Sequence, residues 1–165
     1  MSTKKNIEAI YPLSPMQEGM LFHTLYEPQS ALYFEQLSFL LQGTLDIALW
    51  QQAWQHVIDR HPALRTAYVW KGQEKPLQLV FRQVDWPWRV LDWRHLPATE
   101  QMAELEQYLQ AEQEAGFNLA QPPVCQATLI LLSDECCRFV WSNHHLLMDG
   151  WSLPILLREV FTSYE

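Results

Sequence analysis

The 165-residue sequence is poor in positive charge, with 11 Lys and Arg against 19 Asp and Glu and a formal net charge of −8. Nucleic-acid binding is not expected, because no basic stripe is present to displace counterions from phosphates. The sequence also lacks an apolar run near the roughly 20 residues that cross a bilayer, and its polar start lacks a secretory signal. We therefore expect no membrane insertion and a cytoplasmic location.

Cysteine is scarce too, with three residues at positions 125, 136 and 137. An odd number that includes an adjacent pair is poor geometry for disulfides, and no pair has the spacing of zinc ligands. We expect free thiols and no metal site. The five glycines form neither a phosphate-binding loop nor a nucleophile elbow, which leaves nucleotide and serine-hydrolase chemistry without support.

Apolar side chains are abundant, at 48% hydrophobic and 13% aromatic residues, including eight Trp. This is enough for one buried core, and the length fits one domain or one lobe of a larger domain. Charged residues make up only 18%, which is low for a small, fully solvated surface. Part of the surface is therefore expected to be covered by a partner.

Helical and strand patterns alternate, which predicts an α/β or α+β class. Capping residues and helical spacing predict helices that begin at Ser14, Asp46, Thr99 and Ser152, the third of which should bury Met102. The predicted strands cover 33–42, 64–70, 77–81, 124–132 and 136–143, and residues 85–97 are expected to be irregular. The last helix has no stop signal, so we expect the sequence to be cut within a larger fold.

The most distinctive segment is residues 141–152, WSNHHLLMDGWS. Adjacent side chains on extended backbone point to opposite faces, so His144 and His145 are not expected to bind one metal ion. A histidine at the junction of a strand and a loop is well placed for general-base work. The pattern alone leaves open a structural alternative, in which both are buried histidines whose nitrogens are hydrogen-bonded within the core.

Four stretches together resemble the condensation domains of non-ribosomal peptide synthetases, members of the chloramphenicol acetyltransferase-like superfamily. Residues 144–150 match the HHxxxDG motif of that family, residues 11–23 (YPLSPMQEGMLFH) resemble its opening motif, and residues 60–66 (RHPALRT) resemble its second motif. Residues 117–119 (FNL) with the prolines at 122–123 resemble the segment before the paired strands. They occur in the family's order and cover nearly the whole sequence.

The resemblance implies a two-layer α+β sandwich with a mixed sheet packed by helices. In the family, two such lobes form a V with a tunnel between them. Residues 11–165 are expected to be the N-terminal lobe, with the C-terminal lobe absent. Residues 1–10 are expected to be a short leader that could dock the C-terminal helix of an upstream synthetase.

The resemblance also assigns roles to site residues. His145 would face the tunnel and accept a proton from, or position, the acceptor amine, with His144 as its supporting neighbour. Asp149 would pair with Arg65 and hold the loop. Gly150 would allow an unusual turn or a close backbone approach, with its amide near the developing oxyanion. The following Trp151 and Ser152 are candidates for lining the tunnel, and they argue against an epimerisation domain.

The implied reaction is peptide-bond formation between a donor acyl or peptidyl thioester and an acceptor aminoacyl thioester. Both would be carried on phosphopantetheine arms of donor and acceptor carrier proteins, and the lobe itself would bind no cofactor. The isolated lobe is expected to be inactive, because half of the tunnel is missing. Two alternatives remain: a carrier-protein or synthetase docking module without catalysis, and an acyl-CoA-dependent acyltransferase of the same superfamily.

Overall fold

The computed structural model describes residues 6–28 and 30–165. Seven strands, four α-helices and one short 3₁₀ helix are found in the part of the chain that it describes. In chain order they are β1 (Ile7–Pro12), α1 (Pro15–Tyr26), β2 (Phe34–Gln42), α2 (Ile47–Arg60), the 3₁₀ helix (Pro62–Arg65), β3 (Thr66–Val69), β4 (Leu77–Phe81), β5 (Arg89–Asp92), α3 (Ala98–Ala115), β6 (Cys125–Ser133), β7 (Cys136–His144) and α4 (Ser152–Tyr164).

The strands form two sheets. A three-stranded antiparallel sheet has the order β1-β4-β3, and a four-stranded sheet has the order β2-β7-β6-β5. The second sheet is mixed, because β5 runs parallel to β6 while the other pairs are antiparallel. The predicted class, a mixed sheet packed by helices, is confirmed.

The helix ends follow the predicted capping chemistry. Ser14 and Gln17 form a reciprocal capping box at the start of α1, and the Asp46 carboxylate accepts from the Leu49 amide at the start of α2. Helix α3 ends at Gly116, whose φ of 59° lies in the left-handed region that glycine adopts without strain. The helices that flank the sheets therefore begin and end close to where the sequence predicts them.

An aromatic core joins helix α2 to the mixed sheet. Trp54 stacks on Trp141 of β7 at 4.8 Å between ring centroids, Trp86 lies 5.4 Å from the same ring, and Trp54 and Trp86 are 6.5 Å apart. Trp50 packs edge-on against Phe139, also of β7. Aromatic pairs of this kind add about 0.5–1.5 kcal/mol each beyond the burial of their area. The strand that leads to the two histidines is thus packed against helix α2 through Phe139 and Trp141.

Three elements differ from the sequence prediction. Residues 7–10, expected to belong to a leader, lie in β1 and pair with β4, whereas residues 1–5 of that leader lie outside the described residues. Strand β5 forms inside the stretch expected to be irregular, because β6 offers it a free edge. Helix α3 leaves Met102 66% exposed, and its one fully buried side chain is Glu112.

Candidate functional site

The histidine loop, residues 144–151, connects the end of β7 to the start of α4. Strand β7 lies inside the mixed sheet, between β2 and β6. The amide of His144 donates to the carbonyl of Val124 at 3.3 Å, and the amide of His145 donates to the carbonyl of Tyr33 at 2.8 Å. Successive amides therefore bond to opposite neighbours, and the two imidazoles reach different partners, as the alternation of an extended strand predicts.

His144 is buried and neutral. Its Nδ1 accepts from the amide of Leu146 at 3.1 Å, and its Nε2 lies 3.0 Å from the hydroxyl of Thr24 in α1. That hydroxyl already donates to the carbonyl of Met20, so it accepts from Nε2, which must carry the proton. Burial, and secondarily the charge of His145, lower the pKa of His144 to about 4. This histidine ties α1 to the loop and is not available to a substrate as a base.

The side chain of His145 is one-third exposed and forms an ion pair with a carboxylate. Its Nδ1 lies 2.6 Å from Oε1 of Glu35 in β2. Among residues 6–28 and 30–165, this is the only hydrogen bond of the His145 side chain. Its Nε2 is therefore free to contact a substrate. An imidazole anchored at one nitrogen and open at the other is the arrangement that general-base chemistry requires.

Glu35 is itself oriented by hydrogen bonds that start from β7. The other carboxylate oxygen, Oε2, accepts from Nδ2 of Asn143 at 3.0 Å, and Oδ1 of Asn143 accepts from Nε1 of Trp141 at 2.8 Å. The sequence prediction missed Glu35, because a single sequence does not reveal that β2 pairs with β7. The available signal was a lone carboxylate in an otherwise largely apolar strand.

The predicted pair between Arg65 and Asp149 is wrong. The buried guanidinium of Arg65 instead bonds Glu8 of β1 at 2.8 Å and the carbonyl of Ile58 at 3.2 Å. Asp149 turns back within its own loop, where Oδ1 accepts from the amide of Ser152 at 3.1 Å and from its hydroxyl at 2.8 Å. The physical reason is β1, which the sequence prediction did not anticipate and which brings Glu8 beside the arginine.

The rest of the loop is open. Gly150 is not among the glycines with positive φ, and a Cβ placed on it would contact nothing within 4 Å, so the expected unusual turn or close backbone approach is not found. Trp151 is 85% exposed at the start of α4, and Ser152 is half-buried through its bonds to Asp149. A tunnel-lining role for Trp151 and Ser152 stays a prediction.

A cleft of about 360 Å³ opens beside His144, between α1 and the end of α3. Thr24, Tyr33, Trp70 and Phe117 are among the side chains that line it. Among the described residues, no group of three or more His, Cys, Asp or Glu side chains could hold a metal ion. In the described part of the chain, no helix is long and apolar enough to cross a bilayer.

Known proteins resemble this chain over nearly its whole length. A subunit of the linear gramicidin synthase of Brevibacillus parabrevis is 45% identical over 164 residues, which are 99% of this chain and 2% of that protein. A subunit of the mycosubtilin synthase of Bacillus subtilis is 39% identical over 158 residues, or 96% of this chain and 6% of that protein. The chain therefore spans only a small fraction of the relatives that it matches.

Solved structures share the fold. The starter condensation domain of the rhizomide synthetase RzmA superposes with a TM-score of 0.85 at 23% identity, over 95% of this chain and 39% of that one. A four-domain nonribosomal peptide synthetase bound to AMP and glycine gives a TM-score of 0.82, also at 23% identity, over 96% of this chain and 12% of that one. The family model of the condensation domain matches residues 7–165. On this match, the chain belongs to the condensation-domain family.

Proposed function

We propose that this chain is the N-terminal, histidine-bearing lobe of a condensation domain that forms peptide bonds in a non-ribosomal peptide synthetase. The observation that carries the proposal is His145, which is partly exposed, anchored at Nδ1 by Glu35 and open at Nε2. The relatives support it, since they belong to the synthases of linear gramicidin and mycosubtilin.

The reaction uses an acceptor amine and a donor thioester. The amine nitrogen attacks the thioester carbonyl carbon, forming a C–N bond and breaking the C–S bond. Nε2 of His145 takes the proton that the amine loses, and the departing thiolate is protonated, so the products are an amide and a free thiol. We place the amide of Gly150 near the developing oxyanion, and Trp151 and Ser152 along the substrate tunnel.

The substrates would arrive as thioesters on the phosphopantetheine arms of donor and acceptor carrier proteins. A second, C-terminal lobe would complete the tunnel, which agrees with the chain covering 39% of the starter condensation domain. The segment before β1 is our candidate for docking an upstream synthetase. The three free cysteines fit a cytoplasmic protein.

The test is a condensation assay with loaded donor and acceptor carrier proteins. It compares the 165-residue chain alone, the chain mixed with a separately produced C-terminal lobe, and the same mixture with His145→Ala. His56→Ala is the matched control, because His56 is exposed on α2. Loss of the general base should reduce the rate about 10²–10⁴-fold.

Product in the complemented mixture that persists with His56→Ala and is lost with His145→Ala would support the proposal. Turnover by the chain alone would contradict the requirement for the second lobe. Absence of product in every mixture, with carrier protein still bound, would instead indicate a docking module. Product from acyl-CoA and a soluble acceptor, without carrier protein, would indicate an acyltransferase of the wider superfamily.

A further inference from the structure

Glu35, in the neighbouring strand β2, contacts the partly exposed His145. We propose that Glu35 is a positioning residue, which holds the imidazole of His145 in the Nδ1–H tautomer so that Nε2 presents its lone pair to the acceptor amine. The catalytic role of this tautomer rests on the proposed function. The tautomer itself follows from hydrogen bonds between described residues.

The direction of each hydrogen bond in the chain of contacts is fixed by chemistry. An indole nitrogen can only donate, so Nε1 of Trp141 requires Oδ1 of Asn143 as acceptor at 2.8 Å. The amide nitrogen of Asn143 must then point to Glu35, to which it donates at 3.0 Å. A carboxylate only accepts, so at 2.6 Å the proton between Glu35 and His145 lies on Nδ1.

Strand pairing explains why these side chains meet. In the register of β2 and β7, Glu35 lies opposite Asn143 and Leu37 lies opposite Trp141. Residues two apart on a strand share a face, so Trp141 and Asn143 lie on the same side of β7. His145 directly follows the strand, and its amide still bonds to the carbonyl of Tyr33 beside β2, which continues this alternation. Glu35 therefore reaches Asn143 directly and His145 diagonally, which is the usual range of cross-strand contacts.

Both carboxylate oxygens of Glu35 are used in this network. Within residues 6–28 and 30–165, the one ion pair of Glu35 is with His145, and its second oxygen is occupied by Asn143. No lysine or arginine of the described chain competes for it by a salt bridge. A carboxylate in this position also stabilises the imidazolium that forms when Nε2 takes a proton, without itself becoming protonated.

The two histidines provide an internal reference for the experiment. The contacts of His144 require the proton on Nε2, whereas those of His145 require it on Nδ1. Long-range ¹H–¹⁵N correlation spectra of the ¹⁵N-histidine-labelled chain distinguish these two tautomers directly. The spectra are recorded at about pH 8, above the ordinary histidine pKa of roughly 6.5.

The wild-type spectrum should show His145 as the Nδ1–H tautomer and His144 as the Nε2–H tautomer. Glu35→Gln should shift His145 away from the Nδ1–H form. The carboxylate accepts from His145 and Asn143 through different oxygens, whereas glutamine has one oxygen and an NH2 group that cannot accept. Glu35→Asp should restore part of the bias. Glu104→Gln, at an exposed position on α3, is the matched control and should change nothing.

Activity provides a second readout in the complemented condensation assay. Glu35→Gln should lower the rate about 10- to 100-fold, less than removal of the base itself, with Glu35→Asp partly restoring it. A wild-type His145 in the Nε2–H tautomer, or a tautomer that Glu35→Gln leaves unchanged, would overturn the inference. A wild-type complemented domain without activity would refute the proposed function instead, and the tautomer would still decide the role of Glu35.

Discussion

His144 and His145 are neighbours in one motif, yet the fold gives them opposite properties. His144 is buried, bonded at both nitrogens and has a pKa of about 4, so it is a structural element between α1 and the loop. His145 is anchored at one nitrogen by a carboxylate and open at the other. A repeated residue in a motif thus need not indicate a repeated role, since a strand directs successive side chains to different surroundings.

The largest difference should be in stability. His144→Ala removes a buried ring and two hydrogen bonds, which should lower the free energy of unfolding by about 3–4 kcal/mol. His145→Ala removes a partly exposed ring and should cost less than about 1 kcal/mol. Urea unfolding followed by tryptophan fluorescence measures both, with His56→Ala as the exposed control. Equal losses for the two variants would contradict the distinction between them.

Part of this contrast could be predicted from the sequence, and part could not. The opposite orientation of the histidines follows from their adjacency, and the caps at Ser14 and Asp46 locate α1 and α2. The ion pairs were not predictable in this way, because Glu35 and Glu8 reach their partners across strands that are far apart in sequence. Local chemistry fixes where an element begins, whereas strand pairing decides which charges meet.

The contrast should also appear as a dependence of stability on pH. The pKa of His144 is about 4 in the folded chain and roughly 6.5 in the unfolded chain, so the unfolded state binds the proton more readily. The contribution of His144 is therefore complete above pH 6.5 or so and is lost as the pH falls towards 4. The loss should reach about 3 kcal/mol.

Urea unfolding of the wild type and His144→Gln at several pH values between about 4.5 and 7 measures this effect. Above pH 4.5 or so, carboxylates such as Glu159, whose pKa is lowered by His61, contribute little to the slope. The slope should be present in the wild type and reduced in His144→Gln. An unchanged slope in the variant would mean that another group titrates in this range.

The two carboxylates compared as partners of Arg65 provide the next prediction. Arg65 and Glu8 should show a coupling energy of about 1–2 kcal/mol in a double-mutant cycle with alanine, because they form a partly buried ion pair. Arg65 and Asp149 should show less than about 0.5 kcal/mol, since they share no contact in the described structure. If the coupling energy of Arg65 is larger with Asp149 than with Glu8, the ion pair that the sequence motif implies is correct, and the pair described above is wrong.

The smallest effect should come from the glycine of the motif. Gly150→Ala should change stability by less than about 0.5 kcal/mol, because its φ is not positive and a Cβ has open space. Gly116→Ala is the contrasting control: with a φ of 59° it should cost about 1 kcal/mol. If Gly150→Ala is instead the more destabilising, the loop is more strained than its geometry indicates. If it lowers only the condensation rate, the added methyl group obstructs the substrate, and the fold itself does not require this glycine.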